Sequence, residues 1–416
     1  MKHEAAGREA IRSIRSNDTG AMARWLREHL FDHILPFWEK AGGNLEAGLP
    51  TCIADDGTLL SSDRWLWSQW RAVWVFARIY NSLDRDPKWL ERARRVAAFS
   101  CQYGWLSEEK GWALLLDESG AVKRGYESVY VDAFAVYGLT ELAVASGESV
   151  WLERARETAD AAMRRCQQWG DRVPHFPYPI PPGAKPHGLP MIWSLKLAGL
   201  GQVTGEPLYA EMAQGMLAEI DRDFYRTEED RLFETVSRDG SRYPGAPGSV
   251  TVPGHAIEGM WFQRLVAHEL GDAPISMAET WRRVRRHLEL GWDPAGGGGL
   301  LLAVDGSGPA STAGWAFGDT KLWWPHTEAL FAALLGWHET GESSWLDWYE
   351  RMWGLCFERY VDWENGEWRQ KLHRDLSPMT GTIALPVKDP FHLPRSLILQ
   401  IELLENKTPP RVATVS

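Results

Sequence analysis

The chain has 416 residues, 44% of them hydrophobic and 24% charged, with a formal net charge of −11. No basic run or basic amphipathic helix accompanies this acidic balance, which excludes a nucleic-acid surface and an anionic membrane as expected partners and leaves a small neutral ligand as the better fit. The 24 tryptophans far exceed ordinary usage; indoles serve as large core filler and as pocket walls that stack on apolar faces while offering an N–H.

The first residues, Met1-Lys2-His3-Glu4, are polar with no apolar segment behind them, and no stretch reads as long enough for a membrane span. A cytoplasmic protein is expected. Cys52, Cys101, Cys166 and Cys356 are widely separated with no C-x-x-C pair, so free thiols and no structural zinc are expected.

In chain order, the first distinctive element is Trp65-Leu66-Trp67-Ser68-Gln69-Trp70-Arg71-Ala72-Val73-Trp74, an aromatic helix with Arg71 among apolar neighbours. A buried arginine there requires a strongly polar partner, either a structural carboxylate or a developing oxyanion. A recurring phrase follows, in which a polar break leads through an aromatic into a new helix. It reads Asp86-Pro87-Lys88-Trp89-Leu90-Glu91-Arg92-Ala93, then Glu148-Ser149-Val150-Trp151-Leu152-Glu153-Arg154-Ala155, then more loosely at Thr204–Ala210 and Thr340–Leu346. Spacings near 60 to 70 residues suit a helical hairpin, and about six hairpins fill the chain. One hairpin cannot bury its own apolar face, whereas a closed series buries every inner helix, which predicts an all-α (α/α)6 barrel. The breaks at Pro177–Gly183 and Gly296–Gly299 read as loops rimming its mouth. A single domain over residues 1–416 is expected, with a loose tail from about 406.

Three further stretches carry candidate chemistry. In Pro253-Gly254-His255-Ala256-Ile257-Glu258-Gly259-Met260-Trp261, the residues His255, Glu258 and Trp261 fall three apart, on one face near a helix start. His and Glu at that spacing are also a metal pattern, but matching partners are absent from the sequence, so no metal is expected. In Lys321-Leu322-Trp323-Trp324-Pro325-His326-Thr327-Glu328, two indoles precede a proline suited to a first helical turn, suggesting a ligand wall. In Lys388-Asp389-Pro390-Phe391-His392-Leu393-Pro394-Arg395, prolines hold a histidine in a rigid segment before the final helix. Imidazole titrates near neutrality and can take and return a proton without a large shift.

Together with Arg78-Ile79-Tyr80, Gly291-Trp292-Asp293-Pro294 and Gly366-Glu367-Trp368, these stretches resemble, in order and over nearly the whole chain, the N-acylglucosamine 2-epimerase family. The resemblance implies an (α/α)6 barrel that epimerises a sugar at C2 or isomerises an aldose to a ketose. It implies that His255 and His392 form the acid and base pair, that Arg71 contacts the reacting end, and that Glu258 and Glu328 bind and orient the sugar. Trp67, Trp261, Trp323 and Trp324 are expected to contact substrate. Where some isomerase and cellobiose epimerase members carry a further histidine, this chain has Met191 or a neighbour, with His187 close by, which leans toward the N-acylglucosamine branch. Asp389 stands where glycine is common. No cofactor is expected, and no P-loop is present for the nucleotide that activates some relatives. A homodimer is implied by the family alone. Two rivals share the features read so far: a glycoside hydrolase of the same barrel type using Glu258 and Glu328, and a sugar-binding protein without catalysis.

Overall fold

The computed structural model describes residues 2–406 except 17, 44, 179, 272, 314, 381–386 and 389; the side chains of 169, 171, 312 and 313 are also outside the description. Asp389 and the expected tail beyond 406 therefore lie outside the described residues.

Helices α1 (Lys2–Ile14), α2 (Thr19–Glu28) and α3 (Leu35–Gly42) open the chain. Hairpins follow as α4 (Leu66–Arg78) with α5 (Pro87–Gly104), α6 (Val129–Ser146) with α7 (Ser149–Trp169), and α8 (Gly188–Thr204) with α9 (Pro207–Glu219). Then come α10 (Pro253–Leu270) with α11 (Met277–Gly291), α12 (Trp323–Thr340) with α13 (Ser344–Arg359), and finally α14 (His392–Leu404). The even-numbered helices from α4 to α14 pack in succession into an inner ring, and α14 returns to α4. Outside it, α5, α7, α9, α11 and α13 each back the inner helix of their own hairpin, while α2 backs α14. The sixth hairpin thus joins the two ends of the chain. A buried ion pair fastens the closure: Arg78 of α4 donates to both oxygens of Glu402 of α14 at 2.8 Å each.

Hydrophobic patterning sorts the two rings. Every residue of α4 is buried, as expected of a helix enclosed on all sides, whereas α11 buries Trp281, Val284, His287 and Leu288 at helical spacing and turns its other face outward. The same enclosure corrects one expectation. Val129–Ser146 is long and apolar enough to cross a membrane, but it is α6, an inner helix largely buried in the ring.

The recurring phrase falls on the first turns of α5, α7, α9 and α13, the inner-to-outer corners. Inner helices α6, α8, α10 and α12 each end on a left-handed glycine, Gly147, Gly205, Gly271 and Gly341, with φ of 73°, 70°, 77° and 71°. Each donates its N–H to the carbonyl four residues back, a stop that a Cβ would strain. Gly271 marks a fifth corner that the phrase missed, because the aromatic arrives late, at Trp281.

At the opposite end, long outer-to-inner connections carry strands of only two or three residues. One pairing, Ala184–Pro186 antiparallel to Thr235–Ser237, ties two of these connections together over the mouth.

Candidate active site

All six inner helices start at the same end, around a cavity of about 300 Å³ to which each contributes: Arg71 from α4, Phe134 from α6, Lys196 from α8, His255 from α10, Trp324 from α12 and His392 from α14. Six helix N-termini therefore converge on one space, and their dipoles favour negative charge developing there. Pro177, Tyr178, Ile180 and Pro181 close one side, as their loop composition suggested.

The two candidate histidines share one indole. The Trp324 ring lies 4.9 Å from that of His255 and 5.6 Å from that of His392, centroid to centroid. Each imidazole is also fixed through Nδ1 by a carboxylate. His392 Nδ1 lies 2.7 Å from Glu328 Oε1, and His255 Nδ1 lies 3.0 Å from Glu234 Oε1. Nδ1–H donated to a carboxylate leaves Nε2 for the pocket, so the second partner sets the tautomer.

Their environments drive the two apart. Burial, reinforced by the guanidinium of Arg71, pushes His392 well below the ordinary value of 6.5, as suits the first residue of a helix. Burial acts downward on His255 too, but there the charge and hydrogen bond of Glu234, with Glu258 and Glu328 beyond, outweigh it and raise the imidazole above 6.5. The two rings are thus shifted in opposite directions from the ordinary imidazole value.

Behind His392 stands Arg395, one helical turn on in α14. Its Nη2 donates to Glu258 Oε1 at 2.5 Å and to Glu328 Oε1 at 2.6 Å, and Trp261 Nε1 donates to Glu328 Oε2 at 3.1 Å. Glu258, Glu328 and His392 offer ligand atoms close enough together for a metal ion. The guanidinium of Arg395 supplies positive charge between the two carboxylates.

Several expected contacts sit elsewhere than on the pocket wall. Trp67, Arg71, Met191, His255, Glu258, Trp323, Trp324 and His392 line the cavity. Glu328 and Trp261 stand one layer back, where Trp261 anchors Glu328 and Glu328 holds His392 and Arg395. His187 is wholly buried behind the wall, its Nδ1 4.0 Å from Glu234 Oε2. His392 begins the final helix rather than preceding it. The guanidinium of Arg71 lies over the rings of Phe134 at 4.0 Å, Trp67 at 4.7 Å and Phe391 at 4.8 Å. Most of the tryptophan excess is core: Trp38, Trp70, Trp74, Trp89, Trp112, Trp193, Trp345, Trp353 and Trp368 are all fully buried.

Sequence reasoning passed over Glu234 and Lys196 and gave Arg395 no role. Glu234 reaches the site because the pairing of Ala184–Pro186 with Thr235–Ser237 sets it beside His187, whose N–H donates to the Glu234 carbonyl. No local motif announces it. Arg395 was visible at helical spacing from His392.

The family model of N-acylglucosamine 2-epimerase (GlcNAc 2-epimerase) matches residues 48–394. The chain belongs to the N-acylglucosamine 2-epimerase family. It is 29% identical over 391 residues to the N-acylglucosamine 2-epimerase of Bos taurus, covering 90% of this chain and 89% of that one. It is 26% identical to the D-mannose isomerase of Thermobifida fusca over 68% of this chain and 72% of the relative. The solved cellobiose 2-epimerase of Spirochaeta thermophila superposes with a TM-score of 0.78 at 22% identity, covering 95% and 98% of the two chains, which shows the shared (α/α)6 barrel.

Proposed function

We propose that the protein is an isomerase that epimerises a sugar at C2, with N-acylglucosamine and N-acylmannosamine or a closely related monosaccharide as substrate pair. The observation that carries this reading is a pair of imidazoles beside one indole, each held through Nδ1 by a carboxylate, in surroundings that push one down and the other up, since such divided environments separate base and acid roles.

With the ring-opened sugar in the cavity, His392 Nε2 takes the C2 proton, and the electron pair left on C2 moves toward the C1 carbonyl to give an enolate, which is an enediolate where C2 carries a hydroxyl. Glu328 holds the resulting imidazolium. Arg71 and the six helix N-termini steady the negative oxygens. The His255 imidazolium then returns a proton to C2 from the other face, which inverts the centre, and solvent resets both rings. On a sugar with a hydroxyl at C2, delivery of a proton to C1 instead gives the ketose. That second reading is supported by the likeness to a D-mannose isomerase, while Met191 on the pocket wall, with His187 withdrawn behind it, favours the epimerase. A hydrolase needs two carboxylates flanking a glycosidic bond, and Glu328 is instead committed behind the wall to His392 and Arg395. The separated free cysteines suit a reducing compartment, and a cytoplasmic location belongs to the same proposal.

The test is incubation with N-acetylglucosamine, N-acetylmannosamine, glucose, mannose, fructose and cellobiose, with chromatographic separation of the products. Interconversion of a C2 pair is expected. Release of monosaccharide from cellobiose, or no conversion of any of the six, overturns the reading.

A further inference from the structure

Lys196 has no part in the proton transfers above, yet it lines the cavity and is only 1% exposed. It lies three residues deeper along α8 than Arg71, Glu258 and Glu328 lie along their own helices. That is about 4.5 Å further from the mouth at the helical rise. Helical side chains lean toward the N-terminus, so the long lysine stem rises from that depth toward the floor of the cavity.

What surrounds Nζ is aromatic. The rings of Tyr137 and Phe262 have their centroids 4.4 Å away and that of Phe134 lies at 5.7 Å. Among the described residues Nζ has no hydrogen-bond partner. The charged groups facing it from the other inner helices are Arg395, Glu258, Arg71 and Glu328. Burial, and after it the guanidinium of Arg395, lowers Lys196 well below the usual lysine value, against the opposing charge of Glu258. A buried polar group of this kind costs stability unless something satisfies it, and a fold keeps such a cost where binding repays it.

We propose that Lys196 is a further substrate-contacting residue, whose ε-amino group at the cavity floor hydrogen-bonds the sugar oxygen that enters deepest. The assignment rests on the sugar-epimerase reading. The amino group donates to a sugar oxygen in either protonation state. Beside it Glu258 and Glu328 both pair with Arg395.

The experiment compares the intact enzyme with Lys196→Met, which keeps length and apolar stem, and with Lys196→Gln, which keeps a polar end. Steady-state kinetics are run on the sugar converted fastest and on its monodeoxy analogues, with melting temperatures alongside. Lys196→Met is expected to lose at least tenfold in kcat/KM while melting at the same temperature or higher, because an unpaired buried amine has gone. Lys196→Gln is expected to fall between the two. One deoxy analogue, lacking the contacted oxygen, is expected to be turned over equally by wild type and Lys196→Met, a coupling that a merely structural role would not produce. Kinetics of both variants within twofold of wild type, or additive losses with every analogue, overturn the assignment alone. A wild type inactive on every sugar overturns both the assignment and the proposed function.

Discussion

Replacing Glu328 by Gln removes one negative charge while keeping the shape of the side chain, at a residue that does not touch the cavity. Its carboxylate accepts three hydrogen bonds, from His392 Nδ1 at 2.7 Å, Arg395 Nη2 at 2.6 Å and Trp261 Nε1 at 3.1 Å. An amide has one oxygen. If that oxygen faces His392 and Arg395, the new NH2 meets the Trp261 N–H, and one buried donor is left unpaired at about 1–3 kcal/mol. The catalytic cost is separate. Proton abstraction turns His392 into an imidazolium, and a hydrogen bond to a charged acceptor is worth about 1.5–3 kcal/mol against about 1 kcal/mol for a neutral one. Adding the weaker field of a neutral amide in a buried site brings the barrier increase to about 2–4 kcal/mol, or roughly 30- to 1000-fold in kcat. KM should change little. Steady-state kinetics with a thermal melt on the same samples separates the two effects. A Glu328→Gln enzyme that melts lower but turns over within threefold of wild type would refute the role given to Glu328 in holding His392.

The remaining predictions concern the histidines and the metal question. His255→Ala and His392→Ala should each lower kcat by about 10²–10⁴-fold with near-native circular dichroism; full activity in either would remove it from the proton-transfer pair. The rate should follow a bell-shaped pH profile, with an acid limb below 6.5 where His392 takes up a proton and an alkaline limb above 6.5 where His255 loses its own. Glu234→Gln withdraws the carboxylate that holds the His255 proton and should move the alkaline limb to lower pH, leaving the acid limb in place; movement of the acid limb alone would reverse the two assignments. Prolonged dialysis against a chelator should leave activity intact, and loss restored by a divalent ion would return Glu258, Glu328 and His392 to consideration as ligands.

Much of the ring was legible because its corners repeat. The aromatic phrase marks four inner-to-outer turns, and the aromatic and apolar residues around Arg71 in α4 accord with its enclosure. The site was legible where its residues share a helix: His255 with Glu258, Trp323 with Trp324, and His392 with Arg395. Contacts between separate helices were not. Glu234 meets His255 only through a strand pairing between two connections, and Lys196 meets the floor only because helix depth and side-chain lean coincide. The same blindness to depth put Trp261 and Glu328 on the pocket wall, although helical spacing fixes only the face of a residue and not its distance from solvent.

In the proposed mechanism a base and an acid on opposite faces of the sugar exchange the C2 proton with solvent. Proton NMR of the reaction run in D2O tests it most directly. The C2 epimer is expected to form carrying deuterium at C2 and at no other carbon. An epimer that forms with its C2 proton retained, or with inversion and no solvent deuterium, would contradict it.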